Sequence, residues 1–380
     1  MYGIAAYAGM VGFEERTSAY ARALEANIVP GALVLDIGCG PGILSLLACR
    51  AGAAKVYAVE PDDIIQLARQ TAADNGFSDR IEFIQALSTE IDLPQRVDGI
   101  VTDIHGVLPL YGKNIISILD ARDRLLKPDG WIIPRRETLW AALSCCPAFH
   151  SSLVDSWETQ YRFNFDKARL RTTNTFCATR LKMDDLIVPP QPWAVLDYKQ
   201  LHNHSLNGEM SWLVDRTVTA HGVCAWYDCE TAEGVGFSNS PAAQGAYVYR
   251  HAFFPWPQAL ELTAGDQIKV GLRADFVDLE YVWSWNAQVT NDSGQEKARY
   301  RQSTFIGAPP SRERLRKHAQ SFIPVPNEDW QVDRRALALM DGKLTLEEIA
   351  GVLRSEFPAR FRDWNAALTR AGDLSAKYSR

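Results

Sequence analysis

Apolar and polar positions divide the chain into three textures. Between residues 14 and 134, short apolar runs alternate with segments of helical period. EERTSAYARALEAN (14–27) reads as a helix that Pro30-Gly31 breaks. ALVLDIG then reads as a short buried strand, CGPG as a tight turn, and ILSLLACRAGA as a helix. KVYAVE (55–60) is the next strand, and DIIQLARQTAADNG a helix that Asn75-Gly76 stops. IEFIQA and VDGIVTD (97–103) are strands, NIISILDARDRLL is a helix ending near Pro128-Asp129-Gly130, and WIIP opens another strand. Strand and helix joined by short links predict an α/β unit with a mainly parallel, Rossmann-like sheet.

After Pro134 the period changes from 3.6 to 2. ETLWAAL, LVDRTVTAHGVCAWYDCE, GAYVYRHAFF, IKVGLRADF and EYVWSWNAQV are strand candidates rich in Trp, Tyr, Val and Thr. They predict an antiparallel barrel or sandwich with a turn at Thr263–Asp266. Beyond about 310 the helical period returns in SRERLRKHAQSFI, DWQVDRRALALMDG, TLEEIAGVLRSEF and FRDWNAALTRAG, with Thr345 and Glu348 spaced as a capping box. The expected domains are 1–134 (α/β, with an N-terminal helix), 135–310 (antiparallel barrel) and 311–380 (helical extension).

Composition changes this picture little. The 380 residues carry a net charge of -6, which argues against a broad nucleic-acid surface. Seven cysteines include no C-x-x-C pair, so reduced thiols in a cytoplasmic protein and no metal are expected. The N-terminus does not read as a signal peptide, and no apolar run is long enough for a membrane span.

The chemistry is concentrated in LDIGCGPG (35–42). Gly38, Gly40 and Gly42 suit a turn that a ligand approaches closely, and the helix that begins near Pro41 offers free backbone N–H groups. Glu60 ends the next strand, where a carboxylate can accept both hydroxyls of a ribose. Asp36 at the head of the turn would repel a pyrophosphate but suits an amino group and a sulfonium cation. The cofactor expected is S-adenosyl-L-methionine, leaving as S-adenosyl-L-homocysteine. A tight turn with no ligand is the alternative.

LVLDIGCGPGILSLLACRAGAAKVYAVE closely resembles the cofactor core of the protein arginine methyltransferases, as do QALSTEIDLP, RDRLLKPDGWIIP and ETQYRFNFDKAR. The likeness covers roughly residues 2–300. It implies that Arg16 pairs with the methionyl carboxylate, with Met10 and Tyr20 beside it on the lid. Glu60 would bind the ribose, and Gly38 would lie under the amino acid part. The implied cofactor set also includes Cys39, Ile43, Leu44, Pro61, Ala86, Leu87 and Asp103. Thr89 stands in the adenine loop where the family has Glu. A homodimer is implied by the resemblance alone.

The acceptor motifs depart from the family. TDIHG matches its S-E-x-x-G, which puts Asp103 in the first acid position, but Gly112 replaces the second acid nine residues on and Lys113 stands beside it. Ala246, Tyr247 and Val248 fall where the family has Thr-His-Trp. Half of a guanidinium clamp is missing. The expectation is therefore methyl transfer to a nitrogen or oxygen of a small molecule or modified peptide in biosynthesis. One alternative is an arginine or guanidine methyltransferase whose missing acid comes from Glu14 or Glu15; another is a non-catalytic scaffold. Asp103 is expected in the acceptor pocket, and His105 could be a general base or a loop histidine bonded to carbonyls. Trp283 and Trp285 read as core or as a pocket wall. The terminal helices could cap the barrel or dock a leader peptide or carrier protein.

Overall fold

The apolar run Leu33–Ile37 becomes the central strand of a parallel sheet in a computed structural model that describes residues 3–157, 161, 163–243, 249–309, 311–327 and 329–379. In chain order the first elements are α1 (Ile4–Val11), α2 (Glu14–Asn27), β1 (Leu33–Ile37), α3 (Ile43–Arg50) and β2 (Lys55–Val59). Then come α4 (Ile65–Asp74), β3 (Ile81–Ile84), β4 (Val97–Thr102), α5 (Asn114–Arg124) and β5 (Leu126–Ile133). The strand order is β3-β2-β1-β4-β5, all parallel. Four of the five residues in β1 are buried, as a strand covered on both faces requires.

One reading at the end of this sheet needs correcting. Pro128-Asp129-Gly130 reads as a break before a strand, yet β5 spans it. Leu126 pairs with Val97 and Trp131 with Gly99, so the extra residues of β5 bulge out between the two pairs. Gly99 makes this possible, because a Cβ there would fall 2.0 Å from the Trp131 ring.

The second part continues with β6 (Arg136–Ser144), α6 (Pro147–Val154), α7 (Asp166–Thr172), β7 (Cys177–Thr179), β8 (Gln191–Asp197) and β9 (Leu206–Leu213). It closes with β10 (Val218–Ala232), β11 (Val235–Ser238), β12 (His251–Leu262), β13 (Gln267–Val277), β14 (Glu280–Thr290), β15 (Glu296–Ser303) and α8 (Thr304–Gly307). Two antiparallel sheets result, β7-β12-β10-β6-β8 with β11 beside β10, and β15-β14-β13-β9. LVDRTVTAHGVCAWYDCE is two strands rather than one, because the chain turns after Leu213 and Val214 bonds to Asp266. Thr263–Asp266 is the expected turn, with Gly265 at φ +94°. Trp283 and Trp285 are core residues, packed edge-on or tilted against Phe254.

Residues from Pro310 onward form a compact unit of their own, with α9 (Arg312–Lys317), α10 (Asp329–Leu339), α11 (Leu346–Glu356) and α12 (Trp364–Tyr378). SRERLRKHAQSFI is helical only over α9, before Pro324 and Pro326. Val332, Ala336, Ile349, Leu353, Ala367 and Leu374 make this unit's core. The capping box is present: Thr345 Oγ1 accepts from Glu348 N–H, and the Glu348 carboxylate accepts from Thr345 N–H at 2.8 Å. Among the described residues no helix is long and apolar enough to cross a membrane.

Candidate active site

The cleft opens at the carboxyl end of β1, where the sheet continues to β2 on one side and β4 on the other. Connections leave a parallel sheet in opposite directions at such a point, which makes room for a ligand. Its floor is the glycine turn. Gly38 has φ +71° and Gly40 φ +50°, a region costly for residues with a Cβ. A Cβ on Gly38 would stand 2.4 Å from Ile104 Cγ2, and one on Gly40 would stand 2.9 Å from Tyr7 Cε1. The turn must therefore be bare where the lid and the loop after β4 approach it.

Met10, Arg16, Gly38, Cys39, Gly40, Ile43, Leu44, Glu60, Asp103 and His105 all line this cleft. Asp36, Gly42, Pro61, Ala86 and Leu87 lie outside its lining. Asp36 is fully buried beneath the turn, where its Oδ2 accepts from Ser45 O–H at 2.6 Å. Its Oδ1 is buried with no protein partner. Burial pushes its carboxyl up to about 7, against the Ser45 bond. Gly42, at φ +92°, caps α3 and packs on Ala68. Glu60 is turned to the cleft by two backbone bonds: Oε2 accepts from Gly40 N–H at 3.1 Å and Oε1 from Asp62 N–H at 3.0 Å.

Asp103 is the most heavily bonded group in the site. Its Oδ2 accepts from Arg16 Nε at 2.5 Å and from the Tyr249 hydroxyl at 2.7 Å. Its Oδ1 lies 2.7 Å from His105 Nδ1 and accepts from the Tyr20 hydroxyl at 3.1 Å. Burial opposes its charge, but the Arg16 guanidinium and the His105 bond outweigh burial and hold the carboxyl well below the usual range. Asp103 is therefore ionised at any ordinary pH.

His105 is held between two carboxylates. Its Nε2 contacts the Glu137 carboxylate of β6, its Nδ1 contacts Asp103, and its ring stacks on Tyr227 with centroids 5.1 Å apart. Burial alone would lower its pKa, yet the two carboxylates push it up to about 10. A pKa raised in this direction argues against a role in taking up a substrate proton. Among the described residues its ring nitrogens meet carboxylates rather than loop carbonyls.

Several cleft residues escape a reading of the sequence. Tyr7 and Val11 come from α1, Tyr111 from the loop before α5, and Asn114 from the first position of α5; Tyr249, from the segment before β12, joins them. Glu14 and Glu15 are both exposed and neither lines the cleft, so they do not restore a second acid. Gly112 stands at φ +47° with open space at its Cβ position. Ala246, Tyr247 and Val248 lie outside the described residues, as do residues 158–160 and 162 of the dimer-arm stretch.

Known proteins supply the comparison. Residues 11–134 match the family model of the ribosomal protein L11 methyltransferase (PrmA). Protein arginine N-methyltransferase 1 of Schizosaccharomyces pombe is 31% identical over 264 residues, which cover 67% of this chain and 77% of that protein. Histone-arginine methyltransferase CARMER of Anopheles gambiae is 33% identical over 254 residues, 62% of this chain and 40% of that protein. The chain thus spans less than half of some relatives and about three quarters of others. Among solved structures, the Trypanosoma brucei PRMT1 enzyme-prozyme heterotetrameric complex with AdoHcy superposes with TM-score 0.72 and 23% identity, covering 80% of this chain and 98% of that one. These matches overturn the expectation of a small-molecule or modified-peptide acceptor. The similar proteins are named as arginine methyltransferases almost throughout, although one carboxylate of the clamp is missing here.

Proposed function

The chain belongs to the protein arginine N-methyltransferase family, and from that premise we propose that it methylates a guanidine nitrogen of an arginine side chain. S-Adenosyl-L-methionine is the cofactor, and the site fits it: two positive-φ glycines floor the cleft, and Glu60 faces the same cleft. When bound, it supplies a methyl group activated on a sulfonium centre.

The chain's own residues bind and orient. Glu60 is placed for the ribose hydroxyls and Arg16 for the methionyl carboxylate, with Gly38 and Gly40 beneath. The ionised Asp103 in the wall of the cleft carries the acceptor assignment, since a fixed carboxylate attracts and aims a guanidinium. Two of its four partners, the Tyr20 and Tyr249 hydroxyls, are neutral and can rotate. Tyr249 lines the cleft, so an entering guanidinium N–H takes its place on Oδ2. The clamp is rearranged: one carboxylate, backed by Arg16 and His105, replaces a pair. No group here needs to abstract a proton before transfer. Holding the guanidinium in line is the protein's contribution.

Self-association belongs to the same proposal. Tyr161 and Phe163, in the stretch that resembles the family's dimerisation arm, are 71% and 68% exposed.

Incubation with methyl-labelled cofactor and an arginine-rich peptide tests the reading. Label should enter this peptide and not a lysine-for-arginine version. Label in both, or in neither, would refute the arginine assignment.

A further inference from the structure

A chain of buried charges leads from the wall of the cleft to a residue outside its lining. It runs from Arg16 on α2 through Asp103 and His105 to Glu137 on β6. Glu137 is fully buried, and its other oxygen accepts the Tyr198 hydroxyl. Cys229 of β10 presents its sulfur to the same spot, within 4.8 Å of the His105 and Glu137 atoms. Burial and the Glu137 charge raise that thiol's pKa well above its ordinary value, so the sulfur stays protonated.

An unpaired buried carboxylate is strongly unfavourable, so Glu137 requires a cation or a proton. Two carboxylates flank one imidazole, and both ring nitrogens are engaged. With both carboxyls ionised, each accepts, and the imidazole between them carries a proton on each nitrogen. We propose that Glu137, with Tyr198 behind it, is a positioning residue that keeps a proton on His105 Nε2. The resulting imidazolium fixes the Asp103 carboxylate for the acceptor.

The groups facing His105 from each side agree with this. Asp103 comes from the loop after β4, Glu137 from β6, Tyr227 and Cys229 from β10, and Tyr249 from the segment before β12. Among the described residues the two carboxylates are the charged groups bonded to it, and Arg16 is paired with Asp103. A metal ion would need the same three donor atoms. The direct His105–Glu137 contact is the geometry of a hydrogen bond, and the zinc arm of the test below decides against an ion.

This inference rests on the proposed acceptor role of Asp103, but its test does not need an acceptor. The full-length chain is labelled with 15N-imidazole histidine, and the His105 signals are assigned by their loss in H105Q. Both nitrogens should show imidazolium shifts from about pH 6 to about pH 9, well above the usual titration of histidine near about 6.5. In E137Q the pattern should become neutral as pH rises through that range, and E137D should restore the wild-type pattern. With an arginine peptide, E137Q should lose about tenfold in turnover at alkaline pH and little at acid pH, as loss of one charge-assisted bond implies. Y198F, a milder change, should titrate between the two. A neutral pattern in the wild type at about pH 7, an E137Q spectrum like the wild type, or one equivalent of bound zinc would each overturn the proposal. If E137Q does not fold, the wild-type and Y198F spectra still decide.

Discussion

Arg16 Nε lies 2.5 Å from Asp103 Oδ2 across 87 residues of sequence, and a second guanidinium nitrogen reaches the same oxygen. The pair ties the lid helix to the loop after β4, and both side chains are nearly fully buried. Removing one partner strands the other charge. R16A should therefore lower unfolding free energy by about 3–5 kcal/mol, read by urea denaturation. R16K should recover part of that loss, because an ammonium keeps the charge but not the fork. Stability unchanged in R16A would show that the pair carries no energy.

Asp103 should matter to the acceptor more than to the cofactor. D103N keeps the shape and removes the charge. Turnover on an arginine peptide should fall about 10- to 100-fold, the worth of one charged hydrogen bond, while S-adenosylhomocysteine binding by calorimetry changes less. Equal losses in both would place Asp103 with the cofactor instead.

Gly40 separates the turn from the lid. A Cβ there meets Tyr7 Cε1 at 2.9 Å and must also accept φ +50°. G40A should cost about 1–3 kcal/mol in stability and weaken cofactor binding, whereas G52A, with open space at its Cβ, should suffer only the strain of its φ of +110°. Cofactor affinity unaltered in G40A would remove the turn from the binding site.

Asp36 makes stability depend on pH. Its folded carboxyl is raised, by burial, from 3.8 to about 7. The folded state therefore favours the protonated form. The stability Asp36 contributes is complete below the unfolded value and is lost as pH rises through about 7. The wild-type minus D36N stability difference should decline between those limits by at most about 1.4 kcal/mol per pH unit and then level off. Urea midpoints at several pH values measure it, and a flat difference would show that Asp36 does not titrate there.

Much of this was legible in the chain. Leu33–Ile37, the glycine turn and Glu60 gave the sheet and the cofactor side, because period and turn chemistry are local properties. The missing second acid was also plain at Gly112, but its meaning was not. An absent carboxylate looks the same whether the acceptor or only its grip has changed. The role of His105 stays open in the sequence because its partner Glu137 is 32 residues away, on another sheet. A signal for Glu137 did exist. ETLWAAL alternates, and its inward set is Glu137, Leu139 and Ala141; an acid on the buried face of a strand needs a cation. Tyr7 was missed because IAAYAGMV carries no cap or charge pattern to mark α1.

The most direct test is to find the atom that receives the methyl group. The full-length chain, the methyl donor and an arginine-containing peptide are incubated together, and the product is fragmented in a mass spectrometer. The expected result is one or more methyl groups on a guanidino nitrogen, formed much more slowly by D103N. Saturable donor binding with every arginine unmodified, or methyl groups on another residue type, would contradict the assignment.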